Sequence, residues 1–331
     1  MIITQTPLRI SLAGGGTDFA GFYTREDGCV LSTAIDRYVY VIVKERFDDL
    51  VYVNYSRKEI VERIDDLKHE LVREAMRVTG VLDGVEITTL ADIPSEGSGL
   101  GSSSSLTVGL LNALHAYRGD PRPAEELAAE ACRIEIDVLG KPIGKQDQYI
   151  AAYGNLRLFR FAADGSVGGQ PLQLSDAARR RLSANLLLFY TARTRRSADI
   201  LVEQRDSIAA RMESLRAMKA QADTARQLLE SGQLDEVGRL LDRAWQVKKT
   251  LASRISDAEL DAMYAAGIEA GALGGKICGA GGGGFLLLYC PAERQEDVRQ
   301  ALSAYREMPF ALERDGSKVI FNVRRETWPK G

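Results

Sequence analysis

The feature that most constrains the fold of this chain is a glycine- and serine-rich segment at residues 94–106 (PSEGSGLGSSSSL). It follows an alternating pattern at 85–90 (VEITTL), which predicts a strand, and it leads into an apolar helical pattern. Glycines let a backbone approach a ligand closely, and the free N–H groups at a helix start attract anions. The segment therefore predicts a phosphate-binding loop between a strand and a helix; a flexible linker is the alternative.

This loop differs from the two common nucleotide-binding motifs. The chain has no GxxxxGK[ST] sequence, and GSGLG does not supply the GxGxxG of dinucleotide-binding folds. The serine hydroxyls after the glycines add donors, and one of them can ligate Mg²⁺. The residues expected to bind the nucleotide are Gly97, Gly99, Leu100, Gly101, Ser102, Ser103 and Ser104.

Two further glycine-rich segments flank regular patterns. Residues 7–18 (PLRISLAGGGTD) run from a strand pattern into three glycines, and residues 276–288 (KICGAGGGGFLLL) precede an apolar strand pattern. Both permit close backbone contact with a ligand; a hairpin turn with a charged tip and a tight structural turn are the respective alternatives. The candidate substrate residues in these segments are Gly15, Gly16, Thr17, Asp18, Gly281 and Gly282, with Asp18 able to accept hydrogen bonds from sugar hydroxyls.

Composition excludes several classes of function. The net charge is -3, so nothing indicates a nucleic-acid partner, and no apolar run is long enough to span a membrane. Four cysteines without a CxxC pair and only two histidines argue against structural zinc. We expect a reduced, cytoplasmic protein, because the sequence MIITQTPLRISL reads as a strand and not as a signal peptide. Oligomeric state stays open, a homo-oligomer included.

The pattern of elements predicts an α+β fold with two domains, at residues 1–165 and 166–331. Strands are expected at 2–11, 39–44, 85–90, 155–161, 186–190, 285–289 and 318–323. Helices are expected at 60–79, 106–117, 124–139, 197–230, 234–252, 257–270 and 292–305. The polar stretch 162–170 (AADGSVGGQ) reads as a hairpin turn or as a domain junction.

The three glycine-rich segments occur in the order and spacing of the GHMP kinases, and the chain resembles that family over nearly its whole length. GLGSS at residues 99–103 is similar to the second family motif. The opening segment, GKQDQ at 144–148 and GAGGGGFLL at 279–287 resemble the branch that phosphorylates C1 of a heptose 7-phosphate, whereas the GEHTDY of galactokinases is lacking. The resemblance implies an N-terminal domain like the second domain of ribosomal protein S5, a ferredoxin-like C-terminal domain, and a cleft for ATP and substrate between them.

The resemblance also implies roles for individual residues. Asp147 would be the base that accepts or orients the proton of the attacking hydroxyl, and Arg9 would keep it ionised. Ser103 and Glu135 would hold Mg²⁺. Lys145 and Arg196 are the first candidates for a substrate phosphate, within a basic set that also contains Arg193 and Arg195. TARTRRSA at 191–198 departs from the family's TGxxRSA, which leaves open which arginine binds it. Without the resemblance, Glu135 would read as a solvated helix carboxylate and Asp147 as a turn residue.

The predicted function is thus ATP- and Mg²⁺-dependent phosphorylation of a small sugar phosphate. Three alternatives remain at this point. A fucose or galactose 1-kinase of the same family would act on an unphosphorylated sugar. A non-catalytic sugar or nucleotide sensor would use the same fold, and a dinucleotide-dependent oxidoreductase would use NADH.

Overall fold

The computed structural model describes residues 1–94, 97–193 and 197–323. The strands within these ranges, numbered in chain order, are β1 (Ile2–Ala13), β2 (Gly28–Glu45), β3 (Val51–Asn54), β4 (Lys58–Val61), β5 (Val85–Ala91), β6 (Leu156–Phe161), β7 (Val167–Pro171), β8 (Leu186–Tyr190), β9 (Gly274–Ile277), β10 (Phe285–Tyr289), β11 (Arg306–Glu307) and β12 (Lys318–Asn322).

The α-helices are α1 (Ala20–Tyr23), α2 (Glu70–Thr79), α3 (Ser102–Arg118), α4 (Ala124–Cys132), α5 (Gln146–Tyr153), α6 (Asp176–Ala184), α7 (Ser197–Ser207), α8 (Met212–Glu230), α9 (Leu234–Lys249), α10 (Ala258–Glu269) and α11 (Gln295–Ala301). A π-helix, Arg133–Val138, continues α4, and 3-10 turns occupy Ile64–Asp66, Ile208–Arg211 and Ala292–Arg294. No helix in the described ranges has both the length and the apolar character needed to cross a bilayer.

Two sheets organise the chain. The larger has the order β12-β1-β2-β5-β3-β4, with β6 beside the first half of β2 and β7 beyond it, and β3–β5 is its one parallel pair among the described strands. The smaller has the order β11-β8-β10-β9 and is antiparallel. Helices and sheets are mixed in this way in α+β proteins, so the predicted fold class is confirmed.

The sheets do not follow the expected division of the sequence into residues 1–165 and 166–331. The strands β7 and β12 come after residue 165, yet β7 pairs with β6 and β12 pairs with β1 in the larger sheet. The last described strand, β12, therefore completes the sheet that is formed mainly by the first half of the sequence. The two-domain division remains a prediction, and each half of the sequence contributes strands to the larger sheet.

Most predicted elements are confirmed, but two long helix predictions are wrong. Within 60–79 only Glu70–Thr79 is α-helical, because the start of that stretch completes the strand β4 and then forms a 3-10 turn. The predicted helix at 197–230 is interrupted by the 3-10 turn Ile208–Arg211, which separates α7 from α8. The stretch 162–170 forms the turn and second strand of the β6–β7 hairpin.

A shared hydrophobic core holds the two sheets around the site. Leu8, Ile10 and Leu12 of β1 belong to the same buried cluster as Leu241 of α9 and Leu287 of β10. Burying apolar surface from both halves in one cluster stabilises their relative placement. The core thereby fixes β1, which carries Arg9, against the glycine-rich segment before β10.

Candidate active site

A cavity of about 600 Å³ lies where the three glycine-rich segments meet. The glycines of the first segment follow β1, the second segment leads into α3, and the glycines of the third lie between β9 and β10. The residues that line the cavity and carry polar side chains are Arg9, Ser11, Asp18, Ser98, Ser102, Ser103, Ser104, Glu135, Lys141, Gln146, Asp147, Gln204, Lys248 and Lys276. The cavity therefore brings cations, carboxylates and a helix N-terminus to one place.

The second glycine-rich segment forms the loop at the start of α3, called the nucleotide loop below after its predicted ligand. Gly97, Gly99 and Gly101 have φ angles of +72°, +75° and +77°, a region that side chains disfavour. A Cβ on Gly99 would lie 2.5 Å from the carbonyl oxygen of Cys278, so this loop packs tightly on the third segment. All the predicted nucleotide residues line the cavity except Leu100, which is buried and whose carbonyl accepts a hydrogen bond from the Arg9 N–H at 3.0 Å.

Arg9 and Asp147 form a bidentate ion pair on the cavity wall. Arg9 Nε donates to Asp147 Oδ1 at 2.7 Å and Nη2 donates to Oδ2 at 2.6 Å, while Nη1 donates to the Gly99 carbonyl at 2.6 Å. Burial would lower the pKa of Arg9, but the facing carboxylate raises it, and the net shift is upward. Arg9 thus ties the predicted base to the nucleotide loop, and both residues lie together as the sequence predicts.

Ser103 and Glu135 also meet in the cavity. Glu135 is fully buried in the π-helix, where Oε2 accepts from Ser103 Oγ at 3.0 Å and Oε1 accepts from Gln148 Nε2 at 3.1 Å. Burial raises the pKa of Glu135, and Lys141, whose Nζ lies 3.9 Å from Oε2, opposes that rise. A π-helix turns its side chains differently from an α-helix and is frequent at functional sites.

The first glycine-rich segment supplies Asp18, which is almost completely buried. Oδ1 accepts from the Gly16 N–H at 2.9 Å, and Oδ2 accepts from the N–H and the Nε2 of Gln146 at 3.2 and 3.1 Å. Burial raises the pKa of Asp18, with nearby Asp147 adding to the rise. Gly15, Gly16 and Asp18 line the cavity, whereas Thr17 lies outside it and bonds the Gly14 carbonyl at 2.8 Å. Asp18 therefore holds the first segment to Gln146.

The third glycine-rich segment contributes different residues from those expected. Gly281 packs against Ile255, because a Cβ there would lie 2.7 Å from the Ile255 carbonyl oxygen. The N–H of Gly282 donates to the same oxygen at 2.8 Å. Neither glycine lines the cavity, whereas Gly279 and Ala280 do. The two predicted substrate glycines thus shape the turn, and Gly279 and Ala280 line the cavity in their place.

The basic residues that were predicted for a substrate phosphate and that the structure describes, Lys145 and Arg193, lie outside the cavity. Lys145 Nζ donates to the Gly165 carbonyl at 2.9 Å and lies 4.9 Å from the centre of the Tyr23 ring. Arg193 pairs with Asp257 at 2.9 Å. Arg195 and Arg196 lie outside the described residues. A substrate contact by Lys145 would require it to leave both of its partners.

Several residues of the site were not predicted from the sequence. Gln146 and Gln148 flank Asp147 in the GKQDQ segment, and Lys276 opens the third glycine-rich segment, so their positions could have been noticed. Lys141 and Lys248 belong to helical or loop patterns that carry no such signal. Only the fold brings these side chains to the cavity.

Comparison with known proteins agrees with this geometry. The family models for the N-terminal and C-terminal domains of GHMP kinases match residues 59–155 and 225–307. A D-glycero-alpha-D-manno-heptose 7-phosphate kinase from Campylobacter jejuni is 31% identical over 91% of this chain and 93% of its own length. A mevalonate kinase from Methanothermobacter thermautotrophicus is 30% identical over 82% of this chain and 86% of its own length.

A solved structure extends this comparison. The crystal structure of a D-glycero-D-manno-heptose 1-phosphate kinase from Bacteroides thetaiotaomicron aligns with a TM-score of 0.82 at 26% identity, covering 98% of this chain and 100% of that one. This chain belongs to the GHMP kinases. Within the family it is an ATP-dependent sugar kinase.

Proposed function

We propose that this kinase phosphorylates the anomeric C1 hydroxyl of D-glycero-D-manno-heptose 7-phosphate, giving a 1,7-bisphosphate for nucleotide-activated heptose synthesis. The observation that carries the proposal is the similarity to the Campylobacter heptose 7-phosphate kinase over almost the full length of both chains. The cavity supports the phosphoryl transfer in this proposal, because the Arg9–Asp147 pair lies beside the glycine loop that would cradle the nucleotide phosphates. A cytoplasmic location accompanies this proposal as a prediction.

In the proposed reaction the C1 hydroxyl oxygen attacks the γ-phosphorus of ATP. A bond forms between that oxygen and phosphorus, the bond to the β,γ-bridging oxygen breaks, and ADP leaves with the bridging oxygen. Asp147 accepts or orients the hydroxyl proton through a lone pair that its Arg9 contacts leave free. Arg9 stabilises charge on the transferring group and keeps Asp147 ionised.

The nucleotide loop would hold the phosphates in this reaction. Ser102, Ser103 and Ser104, which form the first turn of α3, line the cavity. A helix N-terminus favours negative charge through its unpaired donors and its dipole. Because α3 has 17 residues and packs into the core, this end is rigidly placed.

The Ser103–Glu135 pair fits a magnesium ion. Its donors are a hydroxyl and a carboxylate, which are hard oxygen ligands, and the closest described cation to the buried carboxylate is Lys141 at 3.9 Å. Mg²⁺ is ordinarily held by one or two carboxylates and completes its coordination with substrate phosphates and water. Mg²⁺, when bound, would neutralise charge on the ATP phosphates.

A second candidate acceptor is a neutral sugar such as fucose or galactose. One observation favours it: Lys145 and Arg193, two of the cations expected to bind a sugar phosphate, are held by partners outside the cavity. A non-catalytic sensor is disfavoured, because both Asp147 and Glu135 are retained and face the cavity.

The test is kcat/KM for heptose 7-phosphate against unphosphorylated heptose, fucose and galactose, measured by ADP release at saturating ATP. We expect the phosphorylated heptose to be preferred over all three neutral sugars. Preference for any neutral sugar would overturn the acceptor assignment and leave the kinase class standing.

A further inference from the structure

Two buried lysines face the cavity close to the nucleotide loop. Lys248 in α9 and Lys276 in β9 are 7% and 4% exposed. Lys276 Nζ donates to the Ser11 carbonyl at 2.7 Å, and Lys248 Nζ donates to the Gly279 carbonyl. Within the described ranges, neither ammonium has a carboxylate oxygen within 4.0 Å.

This arrangement leaves positive charge uncompensated in a buried place. Burial lowers the pKa of Lys276 to about 8. The pKa of Lys248 is lowered mainly by burial and, to a smaller extent, by repulsion from Lys276. Arg9, another cation, also lowers the pKa of Lys248; Asp147 offsets this in part, but it directs both of its oxygens at Arg9. Burying a charge without an opposite partner is costly, so the site is suited to an anion that enters from solution.

A second observation points to the same ligand. The hydroxyl of Ser11 is buried, lines the cavity, and has no hydrogen-bond partner in the part of the chain that the structure describes. An unmet buried hydroxyl is unfavourable until it finds a partner. An oxygen-rich anion would satisfy this donor together with the two ammonium groups.

The position of the lysines favours a phosphate of the nucleotide over the phosphate of a sugar phosphate. Gly279, which accepts from Lys248, packs against the nucleotide loop, because its Cβ would lie 2.6 Å from Gly99 Cα. Arg9, which pairs with the proposed base Asp147, bonds the Gly99 carbonyl of the same loop. A phosphate at the far end of a sugar from its reacting hydroxyl would lie away from these residues.

We propose that Lys248, Lys276 and Ser11 bind the γ-phosphoryl group of ATP in this cavity. This assignment rests on ATP use and is independent of the identity of the sugar. The two ammonium groups would supply donors and positive charge as the phosphoryl group moves towards the acceptor.

The test compares two nucleotides that differ in the γ-phosphate. Dissociation constants of AMP-PNP and ADP are measured by calorimetry, at fixed Mg²⁺, for Lys248→Met and Lys276→Met. Methionine keeps an unbranched apolar stem and removes the charge. Each substitution is expected to raise the Kd of AMP-PNP by about tenfold or more relative to that of ADP. This factor corresponds to the loss of one hydrogen bond to a charged group. The control is Lys249→Met, because Lys249 is next in the chain and pairs with Asp261 at 3.3 Å.

Each other outcome overturns the proposal. Equal weakening of AMP-PNP and ADP, or no change in either, would show that the lysines do not contact the γ-phosphate. Weakened binding of a sugar phosphate with an unchanged AMP-PNP to ADP ratio would assign the pair to the acceptor. Should the methionine variants fail to fold, Lys248→Gln and Lys276→Gln keep a donor for the carbonyl partners, and the same ratio decides.

Discussion

The guanidinium of Arg9 and the carboxylate of Asp147 meet through two parallel hydrogen bonds, Nε to Oδ1 at 2.7 Å and Nη2 to Oδ2 at 2.6 Å. The two residues are 138 positions apart in the sequence, one on β1 and the other in the first turn of α5. A bidentate arginine–carboxylate pair fixes both charge and orientation. The carboxylate proposed to contact the acceptor is therefore held in place before substrate binds.

Replacement of this carboxylate should remove most of the catalysis. Asp147→Asn keeps the shape and one acceptor oxygen but loses the charge, so kcat should fall by about 10²–10⁴-fold, the usual worth of a positioned base. Steady-state ADP release measures the effect. Asp137→Asn, at an exposed position in the π-helix, is the matched control and should behave as wild type. Near-normal turnover of Asp147→Asn would remove the residue from the catalytic role.

The pair should also behave as one unit in a double-mutant cycle. Arg9→Met should lower kcat, because the base then loses its orientation and its compensating charge. Once either partner is gone, removing the other should cost little more, so the double variant should be less impaired than the product of the single effects. Multiplicative losses in kcat, measured for all four proteins at saturating substrates, would mean that the two residues act independently.

Removal of the Ser103 hydroxyl should affect the metal and the nucleotide together. Ser103 Oγ contacts Glu135 and lies on the nucleotide loop, so Ser103→Ala should raise both the Mg²⁺ concentration and the ATP concentration needed for half-maximal rate. Titrations of each against ADP release provide the measurement. A change confined to the KM of the sugar would reassign the loop to the substrate.

The buried Glu135 carboxylate should make folding stability depend on pH. Burial raises the pKa of Glu135 above its ordinary value of 4.5, so the folded state holds this proton at a pH where the unfolded state has released it. Stability from this group is complete below that ordinary value and is lost as pH rises towards the folded pKa. Urea unfolding without metal, for wild type and Glu135→Gln, should show wild type losing free energy of unfolding relative to the variant above about pH 4.5. If the free energy of unfolding of wild type, relative to that of Glu135→Gln, stayed constant or rose with pH, the prediction would be contradicted.

A pair of glycine substitutions should separate backbone strain from close packing. Gly99 and Gly140 have φ angles of +75° and +64°, but a Cβ meets the Cys278 oxygen at 2.5 Å in the first case and nothing within 4 Å in the second. Gly140→Ala should cost about 1–2 kcal/mol from strain alone. Gly99→Ala should cost more and weaken ATP binding, as measured by thermal unfolding and calorimetry. Equal losses of stability would show that the close contact is unimportant.

Much of the fold was predictable because the sequence carries strong local patterns. The alternating run that forms β6 and the apolar helical run of α3 both predict the observed elements. The helix prediction over 60–79 is wrong because the apolar residues there are spaced as on one helix face, whereas Lys58–Val61 pairs with the larger sheet as an edge strand. The return of β12 to β1 is a long-range pairing, which no local pattern can reveal.

The site was predictable where a residue type and a motif coincide. Arg9, Ser103 and Asp147 lie in recognisable segments and face the cavity. Lys248 could not be predicted, since a lysine in a helical pattern is ordinarily exposed and only tertiary packing buries this one. The position of Lys145 in the GKQDQ segment favours a substrate contact, but its ammonium group donates to the Gly165 carbonyl instead.

The most direct test of the account is the position of the transferred phosphorus. The kinase is incubated with ATP, Mg²⁺ and D-glycero-D-manno-heptose 7-phosphate, and the product is examined by two-dimensional phosphorus–proton NMR. We expect one ADP released for each new phosphorus signal that couples to the anomeric proton, with both forming about 10²–10⁴-fold more slowly in Asp147→Asn. ADP release without a signal coupled to that proton, or no consumption of the heptose phosphate, would contradict it.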